Sequence, residues 1–356
     1  IIIFGDSLSD SASLSSRAGD KQDQGNNTWI KTQGKTGAPI TSEDESTHLN
    51  PVWGNYLTNN TLSPSSQMKQ LNVSPLTNNI NYAWASAETG ENYLNDLSSK
   101  PYPPYDTDMC LSVGAGKIDD NTSCVPSLLT QIQLYLTDVE DKPSSDTKYI
   151  IWSGGNDVFN NITKIAEKNK NNKKIIMLIK LLNAGYPFFD VGESQLSNPA
   201  KNTKLAVRQL LKSGVSANNI FVLMLPQLSI TPAAHTMAKG NNMVLSILSA
   251  ITTIYNTALK IELAYNYISP GFNIPASHIV SINSMIKPIL ANPAQYGFSA
   301  STVSCFQGKA MPYCGGYLFF NSKHPTTKTH QLLAKYISKA TGITPPNNEP
   351  EDLSLD

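Results

Sequence analysis

The sequence has little charge and no excess of either sign: Lys plus Arg and Asp plus Glu stand at 27 each, and charged residues make up 15% of the chain. Without a basic excess there is nothing to neutralise a run of phosphates, so nucleic acid is not an expected partner. Also missing is an unbroken apolar run of the length that a bilayer span needs. Cysteine is scarce, with Cys110, Cys124, Cys305 and Cys314 the full set. No group of histidines surrounds them at zinc-ligand spacing, so they do not read as a zinc site. The four fall into two close pairs, and the simplest of three connectivities joins Cys110 to Cys124 and Cys305 to Cys314, with free buried thiols as the alternative. Paired cysteines suit an exported protein. The chain begins inside what reads as its first core strand, so the expectation is a secreted chain whose leader was removed or not included.

What the sequence does have is a first decapeptide, Ile1-Ile2-Ile3-Phe4-Gly5-Asp6-Ser7-Leu8-Ser9-Asp10, in which an apolar run breaks at a glycine and delivers a serine. It reads as a strand, a tight turn and a helix start. A hydroxyl at the C-terminal end of a core strand stands where open α/β sheets bind ligands, which makes Ser7 a candidate nucleophile. An N-cap serine is the plainer reading of the same residues.

Strand and helix patterns then alternate. Asn50-Pro51 is expected to cap and open a short helix through Leu57. Strands are expected over 79–84, 148–152, 220–225 and 278–282, and helices over 127–139, 201–211, 242–267 and 327–340. Such alternation means a mostly parallel sheet covered on both faces. The length favours one enlarged domain over residues 1–343, with insertions near 17–50, 91–126 and 160–200, and a polar tail over 344–356. Within the third insertion six lysines face one glutamate between Lys164 and Lys180, and an apolar, aromatic stretch follows to Phe189. This suits a solvated helix face beside a core helix, or a segment that rests on an anionic membrane or covers an acyl pocket.

Two further strand ends carry polar groups: Ser153-Gly154-Gly155-Asn156-Asp157, and the small residues Ala85-Ser86-Ala87 after the 79–84 strand. Near the C-terminus Asn321-Ser322-Lys323-His324-Pro325-Thr326 precedes a helix. Taken in order, these motifs resemble those of the GDSL or SGNH hydrolases. Gly5-Asp6-Ser7-Leu8 is similar to the nucleophile block, Asn81-Tyr82-Ala83-Trp84-Ala85-Ser86-Ala87 to the second block, Gly154-Gly155-Asn156-Asp157 to the G-x-N-D block, and Ser322 to Thr326 to the end of the D-x-x-H-P-T block. Pro51-Val52-Trp53 and residues 292–298, continuing to Cys305, resemble the lipase-like branch, that of the bacterial lysophospholipases A, phospholipases A and glycerophospholipid:cholesterol acyltransferases.

The resemblance implies a flavodoxin-like three-layer α/β/α sandwich and serine-dependent cleavage of acyl esters without cofactor. Ser7 would attack, His324 would carry the proton, and the oxyanion would be held by the backbone amide of Ser7, a backbone amide in the Ala85-Ser86 turn and the side chain of Asn156. The expected partners are a lipid substrate and a membrane or micelle surface, with a sterol as an acyl acceptor if the site transfers acyl groups. A carbohydrate or short-chain esterase would share the same catalytic set.

Two departures stand out. Ala85-Ser86 replaces glycines, and Asn321 occupies the place of the triad aspartate. An amide cannot supply a carboxylate's charge, and in trypsin the same exchange costs about 10⁴ in kcat. Three accounts are open: an engineered Asp-to-Asn change, a natural residue with some other group orienting His324, or a hydrolase scaffold reduced to binding lipid.

Overall fold

The computed structural model describes residues 1–10, 52–59, 61–65, 68, 72–84, 87–90, 93–96, 122–159, 199–265, 270–305 and 314–344. The 17–50 loop, the lysine-rich segment, Asn50, Pro51, Ala85, Ser86, Cys110 and the end of the tail lie outside them, so the expectations placed there, including the Cys110–Cys124 pair, are not addressed by it.

Six parallel strands form the central sheet. In chain order they are β1 (Ile2–Gly5), β2 (Leu62–Pro64), β3 (Asn79–Asn81), β6 (Tyr149–Trp152), β7 (Ile220–Met224) and β8 (Ile279–Ser281), arranged β2-β3-β1-β6-β7-β8. β1 sits in the middle, with Ile2 opposite Ile80 on one side and Tyr149 on the other. β1, β6 and β7 are buried along their whole length, which is why they read as continuous apolar runs rather than alternating ones. β2 was not foreseen. It is three residues long and ends in Pro64, a residue that an edge strand tolerates.

The helices divide between the two faces. α2 (Leu128–Asp138), α3 (Pro199–Lys212) and α5 (Asn242–Ala264) pack side by side on one. α1 (Trp53–Leu57), α7 (Thr327–Thr341) and α6 (Ile282–Ala291) form the other layer, and the short α4 (Pro232–Ala238) leads into α5. The result is the α/β architecture with a mostly parallel sheet. Hydroxyl caps set several starts: the side chain of Ser127 accepts the Thr130 N–H, that of Thr231 the Ala234 N–H, and that of Thr326 the Thr329 N–H.

Three expectations are corrected. α1 begins at Trp53 with Val52 as its N-cap, and the Asn55 side chain accepts the Val52 N–H, so the local cap comes from inside the helix. The 91–126 excursion contains an antiparallel pair, β4 (Tyr93–Asp96) with β5 (Thr122–Val125). α5 ends at Ala264 and is long and apolar enough, by length and composition only, to cross a membrane. Its polar side chains, however, serve the sheet: Asn256 bonds both the N–H and the C=O of Leu225.

Candidate active site

At the end of β1, Gly5 adopts φ +153°, and a Cβ there would collide with the Trp152 carbonyl of neighbouring β6. The chain then turns tightly around Asp6. Its carboxylate accepts the Leu8 N–H at 3.1 Å, and its carbonyl accepts the N–H groups of Ser9 and Asp10 at 3.0 and 3.1 Å. Ser7 projects from this turn. Among the described residues its own N–H has no acceptor. The turn is anchored from behind: Asn81 donates to the Ser9 carbonyl at 2.7 Å, Trp53 Nε1 donates to Ser9 Oγ, and Gln131 accepts the Gly5 N–H while donating to the Gly5 carbonyl, both at 2.9 Å.

His324 reaches Ser7 from the opposite wall. Its Nε2 lies 2.8 Å from Ser7 Oγ and its Nδ1 3.1 Å from Asn321 Oδ1. The loop that carries it is held by the Phe320 N–H on the His324 carbonyl, by the Ala233 N–H of α4 on the Ser322 carbonyl, and by the strand pair β9 (Ala300–Ser304) and β10 (Tyr317–Phe319). The expected Cys305–Cys314 disulfide is present and braces that pair.

Asn321 Oδ1 also accepts the N–H groups of Lys323 at 3.0 Å and His324 at 2.8 Å. Backbone N–H groups can only donate, so the atom they meet must be the amide oxygen, and the side chain cannot be flipped. Nδ1 of His324 must therefore carry the hydrogen that this oxygen accepts, which leaves Nε2 bare to accept from Ser7. Asn321 thus imposes the tautomer an aspartate would impose, and no other orienting group is needed. What it does not supply is charge. Burial, helped by the neighbouring Lys323 cation, lowers the His324 pKa to about 4.

The third wall follows β6. Gly154, at φ +105°, passes so close to the Tyr255 hydroxyl that a side chain would clash, and that hydroxyl donates to the Ser153 carbonyl at 3.1 Å. Asn156 donates from Nδ2 to the Ala87 carbonyl at 2.9 Å. An amide nitrogen carries two hydrogens, so a second remains to be given. Asp157 turns away to accept from the backbone and hydroxyl of Thr89. Burial raises both Asp157 and Asp6 to about 7; the Glu88 charge adds to the first, while the Leu8 N–H partly offsets the second. Asp6 therefore shapes the turn that carries Ser7, and Asp157 ties the segment after β6 to Thr89. The second-block donors, Ala85 and Ser86, lie outside the described residues.

Several supporting residues escaped the sequence reading. Gln131 is fully buried on α2 between Leu128 and Ile132, and a long polar side chain inside an apolar stripe was the available signal. Tyr255, and His330, whose Nδ1 accepts the Trp53 N–H, gave none.

A comparison with protein families matches residues 1–337 to the one described as GDSL-like Lipase/Acylhydrolase. A search of curated proteins found no match.

Proposed function

Because the chain belongs to the GDSL-like lipase/acylhydrolase family, an esterase and lipase family, we propose that it is a serine hydrolase of lipid acyl esters, of lysophospholipase A or phospholipase A type. The observation that carries this reading is the continuous hydrogen-bonded line Ser7 Oγ, His324 Nε2, His324 Nδ1, Asn321 Oδ1, at 2.8 and 3.1 Å. Ser7 attacks the ester carbonyl as His324 Nε2 takes its proton. The tetrahedral oxyanion forms beside two donors, the Ser7 N–H and the remaining hydrogen of Asn156. One such donor is typically worth about 2.7–4 kcal/mol of barrier. His324 then returns the proton to the departing alcohol, and water, or a sterol hydroxyl in the acyl-transfer version, repeats the sequence on the acyl-enzyme.

Lipid rather than sugar esters are favoured by exposed apolar side chains on α4, which is bonded to the His324 loop, and on the start of α5, which follows it. α4, whose Ala233 N–H bonds Ser322, exposes Met237, and the start of α5 exposes Met243. The reading places the protein outside the cell, at a membrane or micelle surface. Fatty-acid release from lysophosphatidylcholine, compared with short-chain and acetylated sugar esters, is the test. Ser7-dependent release that favours the long chain is expected. Equal rates on all three, or no loss in Ser7→Ala, would contradict it.

A further inference from the structure

We infer that Thr89 is a positioning residue of the oxyanion site, one that aims the Asn156 amide through Asp157. The inference rests on the hydrolase reading and adds to it a residue that touches no reacting atom.

One hydrogen of Asn156 Nδ2 goes to the Ala87 carbonyl at 2.9 Å, so the direction of the other is set by where that carbonyl stands relative to the end of β6. Ala87 and Asn156 lie 69 residues apart in the chain. A second link beside the first holds their two segments in register. Asp157, the next residue, accepts the Thr89 N–H at 3.1 Å and the Thr89 hydroxyl at 2.6 Å. Asn156 with Ala87 and Asp157 with Thr89 thus form two rungs between the same two segments. The second rung ends on a carboxylate, and such charge-assisted bonds are shorter and about twice as strong as neutral ones.

Thr89 is itself fixed to two helices. Its carbonyl accepts the Leu129 N–H of α2 at 3.3 Å, beside the Leu128 N–H on the Glu88 carbonyl. Its hydroxyl oxygen accepts from Nδ2 of Asn202, on α3, at 3.1 Å. That donor takes a lone pair and leaves the hydroxyl hydrogen for Asp157. Thr89 and Asn202 are fully buried, and Asp157 nearly so. Burial raises the Asp157 pKa, and the Thr89 bonds are foremost among the causes that oppose the rise.

A buried pin of this kind affects stability wherever it sits. Here it stands next to a donor whose free hydrogen meets charge only as the tetrahedral oxyanion forms. A misaimed Asn156 therefore slows the chemical step and leaves ground-state binding alone. Loss of a whole oxyanion donor costs about 10²–10³ in kcat, so loss of its aim is expected to cost about tenfold.

The test is a double-mutant cycle on hydrolysis of lysophosphatidylcholine. Thr89→Val, which keeps the volume and removes the hydroxyl, should lower kcat about tenfold at unchanged KM, and Thr89→Ser should recover most of the loss. Once Asn156→Ala has removed the amide, Thr89→Val should cost less than about twofold. The same loss in the Asn156→Ala background, or a Thr89→Val protein of lower melting temperature but parental kcat, makes Thr89 a structural pin and overturns the inference; neither result touches the hydrolase reading. Should Thr89→Val not fold, Asn202→Ala, which removes the donor to the Thr89 hydroxyl, enters the cycle in its place, and additive loss overturns the inference in the same way. If the parent cleaves no ester, the hydrolase reading fails and NMR decides the inference separately. Hydrogen exchange of the Asn156 side-chain amide in Ser7→Ala should quicken when Thr89→Val or Asn202→Ala is added, and an unchanged rate overturns it.

Discussion

Asn321 is the residue at which sequence and structure diverge most usefully. From sequence, an amide in the aspartate position signals impairment, because trypsin with the same exchange holds its histidine in the wrong tautomer. Here the N–H groups of Lys323 and His324 fix the amide oxygen toward Nδ1, so the tautomer is right and only the charge is missing. That distinction depends on where two backbone hydrogens point, which no side-chain pattern encodes. Ser7, His324 and Asn156 were legible because each follows a strand or precedes a helix in a recognisable block. The consequence is a pH effect. His324 must be neutral to accept a proton, and with its pKa lowered to about 4 it stays neutral well into acid. A carboxylate at position 321 would favour imidazolium and raise that pKa. In Asn321→Asp the acid limb of kcat/KM is therefore expected to move to higher pH, with the plateau rising by less than about 100-fold rather than the ~10⁴ of the trypsin comparison. A pH–rate profile of both proteins checks this, and an unmoved acid limb would dissociate Asn321 from the titrating base.

At the scale of elements, the glycine that ends β1 is held by a helix on one face of the sheet. Gln131 of α2 bonds both the N–H and the C=O of Gly5, and the Trp84 N–H shares that carbonyl. Gln131→Met keeps the volume but leaves the buried Gly5 N–H without its acceptor, at a cost of about 1–3 kcal/mol. The melting temperature should fall accordingly, and kcat should fall as well because Ser7 lies two residues on; a variant as stable and active as the parent would show that the bracket is incidental. β1, β6 and β7 were legible because strands buried on both faces are uniformly apolar. β2, β4, β5, β9 and β10 were not: several pair only with one another, β2, β4, β5 and β9 hold Ser, Thr, Asn or Pro where periodicity would have to show, and β10, though apolar, is only three residues long.

Across the whole molecule, the order β3-β1-β6-β7-β8 reproduces the 2-1-3-4-5 arrangement of flavodoxin-like sheets, with β2 added at the edge. The topological switch falls between β1 and β6, and the residues that follow those strands are Ser7 and Asn156. The layered class was legible in the alternation of strand and helix patterns. The strand order came only through the family resemblance, since pairing between distant segments leaves no local mark. The buried titratable groups surround this same point and give opposing pH dependences. Asp6 and Asp157, raised to about 7, bind protons more tightly folded than unfolded, so they favour the folded state increasingly as pH falls from about 7 toward 4. His324 and His330, lowered to about 4 and about 3, do the reverse below the usual histidine range, because the unfolded chain takes up protons that the folded one refuses. Two groups of each kind largely cancel, so the melting temperature should change little between pH 7 and pH 5. His330→Asn keeps an acceptor for the Trp53 N–H but cannot titrate, and its melting temperature should rise relative to the parent as pH falls. A parallel pH dependence in the two proteins would mean that His330 titrates normally.

The most direct measurement is mass-spectrometric mapping of the site labelled by a fluorophosphonate, which reacts only with a serine that a neighbouring base activates. A single adduct on Ser7, abolished in Ser7→Ala and greatly slowed in His324→Ala, is the expected result. No adduct, or labelling of Ser7 that persists at full rate without His324, would contradict the assignment of this hydrogen-bonded line as a working nucleophile and base.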